Sequence, residues 1–167
     1  GSGGMATTTI TYASMHSASV KQSPDLKWPL DQWNEQRPKA TPATQWVVSS
    51  INVHDPYATV PTSTTTTYLY ENPRHGRDDT GHYAFRGFES VTTTSQSGAK
   101  TKEVYGYDVD WSGRLVRTVV YAAENLAAAV SVDTTTYSAF QLFGGALTTY
   151  EPTVTEHATC ADSQSEA

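Results

Sequence analysis

Cysteine is almost absent: Cys160 is the only one in 167 residues. A single cysteine excludes an internal disulfide and any multi-cysteine metal site. It suits the cytosol, or an exported protein that needs no disulfides. Large aliphatic residues are scarce as well. Leu, Ile, Val and Phe sum to only 27, a thin supply for a hydrophobic core. The longest apolar runs, Val119–Ala123 and Leu126–Val130, have five residues each, too few for a membrane-spanning helix. Basic residues number 11 against 17 acidic ones, for a net charge of −6. No dense basic cluster is present, which argues against nucleic acid as a partner.

What the chain has instead is hydroxyl and ring. Thr occurs 26 times and Ser 16 times, with 10 Tyr and 4 Trp. Thr, Val and Tyr suit a pleated, half-buried surface. A chain so poor in aliphatics would be disordered if it also carried a large net charge. Here the charge is modest and the aromatics supply apolar area. The composition points to an ordered all-β chain and away from a helix bundle or a coiled coil.

Residues 1–5, Gly1 to Gly4 before Met5, read as a cloning scar. The rest reads as a single β-rich domain over 6–160, followed by a tail over 161–167 that is expected to fray. Residues 6–12 (ATTTITY) alternate as a strand does. Residues 13–42 are polar and irregular, with Pro24, Pro29, Pro38 and Pro42 and the pair Trp28 and Trp33. This stretch reads as an arm or insertion pinned by its tryptophans. From Gln45 onward, strand-like runs alternate with turn signals, including Ser97-Gly98, Ser112-Gly113 and Gly144-Gly145. About seven to eight short strands in an antiparallel meander are expected, shell-like or sandwich-like. Only Ala122–Ala129 has helical composition, and eight residues are marginal for a helix. Tyr68, Tyr70, Phe88, Val91, Tyr107, Val119 and Tyr121 are expected to be buried.

Tyr105 to Leu115 reads YGYDVDWSGRL. It resembles the YD-repeat signature of Rhs-type proteins, in which Tyr-Asp leads through a turn to Gly-Arg-Leu. Upstream, the strand pair with Tyr68 and Tyr70 leads to Phe85, Arg86, Gly87, Phe88 and Val91. It is similar to an FRGF-like element of Rhs shells and of the B components of insecticidal toxin complexes. The resemblance spans Gln45 to Thr159. It implies a partial fragment of a hollow shell built from a long spiralling β-sheet, with a role in encapsulation or surface display and no catalysis. It further implies a secreted or extracellular setting, with other segments of a parent shell or a second copy of the chain as partner. The motif residues are then Phe85, Arg86, Gly87, Phe88, Tyr105, Tyr107, Asp108, Gly113, Arg114 and Leu115. Physically they ask for structure and not chemistry. A Tyr ring packs on a neighbouring strand while its hydroxyl finds a backbone partner. Gly113 permits a left-handed turn, and Arg114 can return over it to Asp108 or Asp110.

Other constellations carry less. His75, Asp78, Asp79 and His82 share a loop with Arg74 and Arg77, whose charges repel a cation, and their spacing fits no standard metal motif. Glu103, Asp108, Asp110, Glu151 and Glu156 show no sign of converging on one cleft. No nucleophile elbow and no phosphate-binding glycine loop is present. No cofactor and no enzyme activity is therefore expected. The alternative to the shell is a secreted carbohydrate- or surface-binding β-sandwich in which Trp28, Trp33, Trp46 and Trp111 stack on a host-surface glycan. Finally, Thr62–Tyr70 and Thr134–Tyr137 lack the lysines and inward charges that block edge pairing. They are expected to be edges through which the chain self-associates, with residues 23–42 able to cover one of them.

Overall fold

A computed structural model of the chain describes residues 6–15, 17–21, 46–57, 62–77, 83–106, 113–123, 125–145 and 147–159. Among these, every regular element is a strand apart from one short 3-10 turn. The strands are β1 (Thr7–Ser14), β2 (Val20–Lys21), β3 (Trp46–Asp55), β4 (Thr62–Arg77), β5 (Tyr83–Thr94), β6 (Lys100–Tyr105), β7 (Leu115–Ala122), β8 (Asn125–Leu142) and β9 (Leu147–Thr159). All nine belong to one sheet in the order β1-β3-β4-β5-β6-β7-β8-β9, with β2 attached to β4. Every pairing along that path is antiparallel. The all-β meander of eight consecutive neighbours is therefore present, and the ninth strand is the two-residue β2. Because all the strands share one sheet, the sandwich alternative has no second β-layer among the described residues.

Short loops make this order the natural one, since a tight turn can only join antiparallel neighbours. The β5–β6 turn shows the chemistry. Ser95 and Ala99 close it through Ser95 N–H to Ala99 O at 2.9 Å. Gly98 sits there at φ 91, a conformation that a side chain strains. The stretch read as irregular over 13–42 begins inside β1, which runs on to Ser14 because Ala13 and Ser14 still pair with Val47 and Trp46, and β2 lies within it. β2 runs parallel to β4, opposite Tyr70 and Glu71, and occupies the edge that β3 leaves when its pairing to β4 ends at Ser50↔Thr67. Residues 22–42 of that stretch, with Trp28 and Trp33, lie outside the described residues, as do residues 1–5 and 161–167.

Register decides which side is the core. Ser90, Val104 and Arg117 lie in one cross-strand row, and Val119 follows Arg117 on the same face. Tyr121 continues that face and pairs with Ala129 across a bulge. Ser50, Thr67 and Thr94 extend it to β3, and the bulge opposite Thr11/Tyr12 brings Val47 onto it. Val47, Ser90, Val119 and Ala129 are all buried. These four protected residues thus share one face.

Two expectations need correction. Tyr68, Tyr70, Phe88, Val91 and Tyr121 are half-buried, and only Val119 of the expected set is buried, at 0 % exposure; Tyr107 lies outside the described residues. A single β-layer leaves even inward rings partly open. The Ala-rich segment forms no helix, as its marginal length implies: Asn125–Val130 belongs to β8, joined to β7 through Ala122↔Asn125 and Tyr121↔Ala129. The Thr-rich stretches are not edges. β4 lies between β3 and β5, β8 lies between β7 and β9, and the edges of the order are β1 and β9.

β8 and β9 outrun the sheet. β7 pairs with β8 only as far as Thr134, whereas β8 and β9 stay paired to Leu142↔Leu147. The resulting two-stranded ribbon exposes Phe140, Leu142, Phe143 and Leu147 around its turn.

Val119→Ala removes two methyl groups at the most protected position and is expected to cost about 1–3 kcal/mol. Val130→Ala, at a position 43 % exposed, should shift stability by less than about 0.5 kcal/mol. Urea denaturation of the two variants beside the parent chain measures the difference.

Candidate functional site

A pocket of about 240 Å³ opens over the middle of the sheet, lined by Glu71, Asn72, Glu89, Ser90, Lys102 and Val104. The register assembles it. Glu71 on β4 faces Ser90 on β5, which faces Val104 on β6. Lys102, two residues before Val104, shares that face. Ser90 is only 2 % exposed, and its Oγ donates to Glu71 Oε2 at 2.7 Å. The Lys102 ammonium stands 3.4 Å from the same oxygen. Alternation breaks at Asn72, whose φ of 50 is left-handed, a region that Asn tolerates better than most residues. Glu71 and Asn72 therefore line one pocket, and Asn72 Nδ2 donates to Glu89.

The electrostatics favour a fixed charge. Burial pushes the Glu71 carboxyl up, but the Ser90 hydroxyl and the Lys102 ammonium outweigh it, with help from Lys21 on β2, and the net shift is downward. A carboxylate held ionised in this way is a weak base and no acid near neutrality. The cluster ties β2, β4, β5 and β6 together.

On the opposite face Tyr70, Val91 and Glu103 form the neighbouring row. Tyr105 Oη donates to Glu103 Oε2 at 2.8 Å. Burial, and then the Glu103 carboxylate, push the Tyr105 phenol up to about 12. Tyr70 Oη donates to the Val48 carbonyl at 2.9 Å, and burial raises its pKa too, ahead of the field of Tyr68.

The residues singled out in the sequence are placed as follows. In FRGF, Arg74 pairs with Gly87 and His75 with Phe85, so Arg86 is the extra residue of a bulge. Gly87, at φ 95, supplies the backbone that the bulge requires. Phe88 packs on Tyr70 with ring centroids 4.7 Å apart, and Phe85 meets Phe88 edge-on at 5.3 Å. In the YD element, Gly106 N–H donates to Arg114 O at 2.8 Å and Gly113 N–H to Gly106 O at 3.1 Å, closing the loop at its base. Tyr107, Asp108 and Asp110 lie outside the described residues. Arg114 stacks its guanidinium 4.8 Å from the Tyr150 ring and 6.0 Å from that of Tyr137, while Tyr137 Oη donates to Leu115 O at 2.8 Å. The Gly-Arg-Leu end is thus clamped by tyrosines of the ribbon.

Of the four tryptophans only Trp46 is described; it opens β3 and is 65 % exposed. Trp28, Trp33 and Trp111 lie outside the described residues. Glu151 and Glu156 are exposed on β9, three strands beyond Glu103 in the sheet order. No group of three metal-ligating side chains occurs among the described residues; Asp78, Asp79 and His82 lie outside them. His157 pairs its Nδ1 with Asp133 Oδ1 at 2.6 Å and sets its Nε2 3.4 Å from Thr159 Oγ1. That order of groups resembles a charge relay, but the ring is 60 % exposed and the hydroxyl belongs to the same strand face. Sequence reading missed Glu71, Ser90 and Lys102, because only the register brings them together.

Compared with protein-family models, curated proteins and solved structures, the chain finds no match.

Two pH effects follow. Tyr105 is neutral in both folded and unfolded chains below pH 10. Above that value the unfolded phenol ionises first, so stability should fall between pH 10 and about 12. Tyr105→Phe should flatten part of that fall, and ultraviolet titration should show one phenol fewer among the late-ionising ones. Glu71, with its lowered pKa, contributes stability above the ordinary carboxylate range and loses it as the pH drops through its folded value. Ser90→Ala leaves its carboxylate short of a donor and should cost about 1–3 kcal/mol at neutral pH, with a shallower acid limb in a urea-denaturation series.

Proposed function

We propose that the chain is a non-catalytic structural module, a length of β-wall that encloses or displays other parts of a larger assembly, as the Rhs/YD-repeat resemblance implies. One observation carries the reading. The described residues of the resembling motifs are spent on a bulge, a closed loop base and tyrosine clamps within a single open sheet. None of those described residues converges on a reactive group. The pocket around Glu71 fits the same role, since the Glu71 carboxylate is engaged by Ser90 and Lys102 across β4, β5 and β6. The thin core also fits, because a wall segment gains much of its burial from what lies against it. The partners in this reading are adjoining segments of a parent shell or a further copy, in a secreted or extracellular setting.

A glycan-binding module would behave differently in solution. Sedimentation across a wide concentration range, together with a glycan-array screen, separates the two. The wall module is expected to associate with rising concentration and to show no saturable glycan binding. A concentration-independent monomer that binds one glycan saturably, and loses it on Trp46→Ala, would replace this reading with the binding module.

A further inference from the structure

The two edges of the sheet are unequal. β9 carries Glu151, Pro152 and Glu156 along its 13 residues. Charge and proline are the devices that keep an edge from accepting another strand. β1 carries none of them. Its eight residues, TTTITYAS, contain no charge and no proline, and Thr, Ile and Tyr are good strand formers. Its inner side pairs with β3 from Thr7↔His54 to Ser14↔Trp46, and β1 ends the strand order. From Thr7 to Ala13 its outer side meets no further strand among the described residues, and the Ser14 carbonyl accepts from Ser17 N–H at 2.9 Å. Ile10 and Tyr12 are 45 % and 57 % exposed. They share one face, and Ile10 heads an apolar pair with Ile51.

We propose that β1 is a docking edge for a second copy of this chain, through antiparallel β1–β1′ pairing about a twofold axis centred on Thr11. That register sets Ile10 against Tyr12 of the other copy, twice by symmetry, on the face where both are exposed. It also sets Thr9 against Ala13 and Thr8 against Ser14. Aromatic–aliphatic and hydroxyl pairs of this kind stabilise neighbouring strands. A strand without charge meets its own twofold image without repulsion. The guarded β9 edge disfavours head-to-tail addition onto β1, so the contact closes as a dimer and does not propagate as a fibre. The proposal rests on the wall-module reading only in taking sheet extension as the mode of contact.

Sedimentation of the full chain, Ile10→Lys and Val154→Lys, combined with amide exchange along β1, tests it. The parent chain and Val154→Lys are expected to dimerise, with outward-facing β1 amides gaining protection as concentration rises. Ile10→Lys should weaken dimerisation at least tenfold, since it places two ammonium groups beside the axis. Ile10 is exposed in the monomer, and the exchange measurement on the parent chain is independent of how the variant folds. Dimers that survive Ile10→Lys but dissociate with Val154→Lys would overturn the β1 assignment while leaving sheet extension in place. A parent chain whose β1 amides exchange equally fast at every concentration would overturn the pairing itself, and the glycan screen would then decide the wall-module reading separately.

Discussion

Backbone pairing between neighbouring strands is the interaction on which everything else in this protein depends. A chain with so few large aliphatic side chains cannot be held by its core alone. Each strand instead satisfies its N–H and C=O groups against the next, from β1 to β9. The register of those ladders then decides which side chains meet. Val47, Ser90, Val119 and Ala129 come to one face, although they are scattered over four strands. Slipping one strand by one residue would turn its inward set outward.

Irregularities in the ladder are where the chain departs from uniform alternation, and they coincide with its distinctive sequence elements. Arg86 and Gly87 make a bulge opposite Arg74 and His75. Left-handed Asn72 breaks the alternation of β4 and brings Glu71 and Asn72 into the same pocket. The Gly106–Arg114 bridge closes a loop between β6 and β7 at its base, and Tyr137 and Tyr150 hold Arg114 there against the ribbon. Rings and hydroxyls perform much of the fastening that aliphatic packing performs elsewhere. Tyr70 and Tyr137 each tie a strand to a backbone carbonyl 22 residues away.

Polar chemistry in this framework is directed inward to the fold. Glu71 is engaged by Ser90 and Lys102, and Glu103 accepts from Tyr105. Such pairs lower the cost of half-buried charge in a sheet that lacks a thick apolar layer. Glu103, a candidate acid or base in the sequence, is in this way tied to its neighbour on β6.

The sequence by itself determined the class of fold and its order. Thr, Val and Tyr alternation, punctuated by glycine and proline turns, dictates short-range antiparallel pairing, and a meander follows because tight turns join only neighbours. It also marked Gly113 as a turn residue, since a left-handed backbone there favours glycine. Tertiary structure alone decided the rest. Which strands are edges depends on what pairs beyond them, so Thr62–Tyr70 looks unguarded in sequence and yet is interior. The depth of burial depends on whether a second layer exists, so Tyr68 and Tyr121 remain half-open. The meeting of Glu71, Ser90 and Lys102 depends on register across three strands. Register is a property of pairs of strands, and no single strand's sequence contains it.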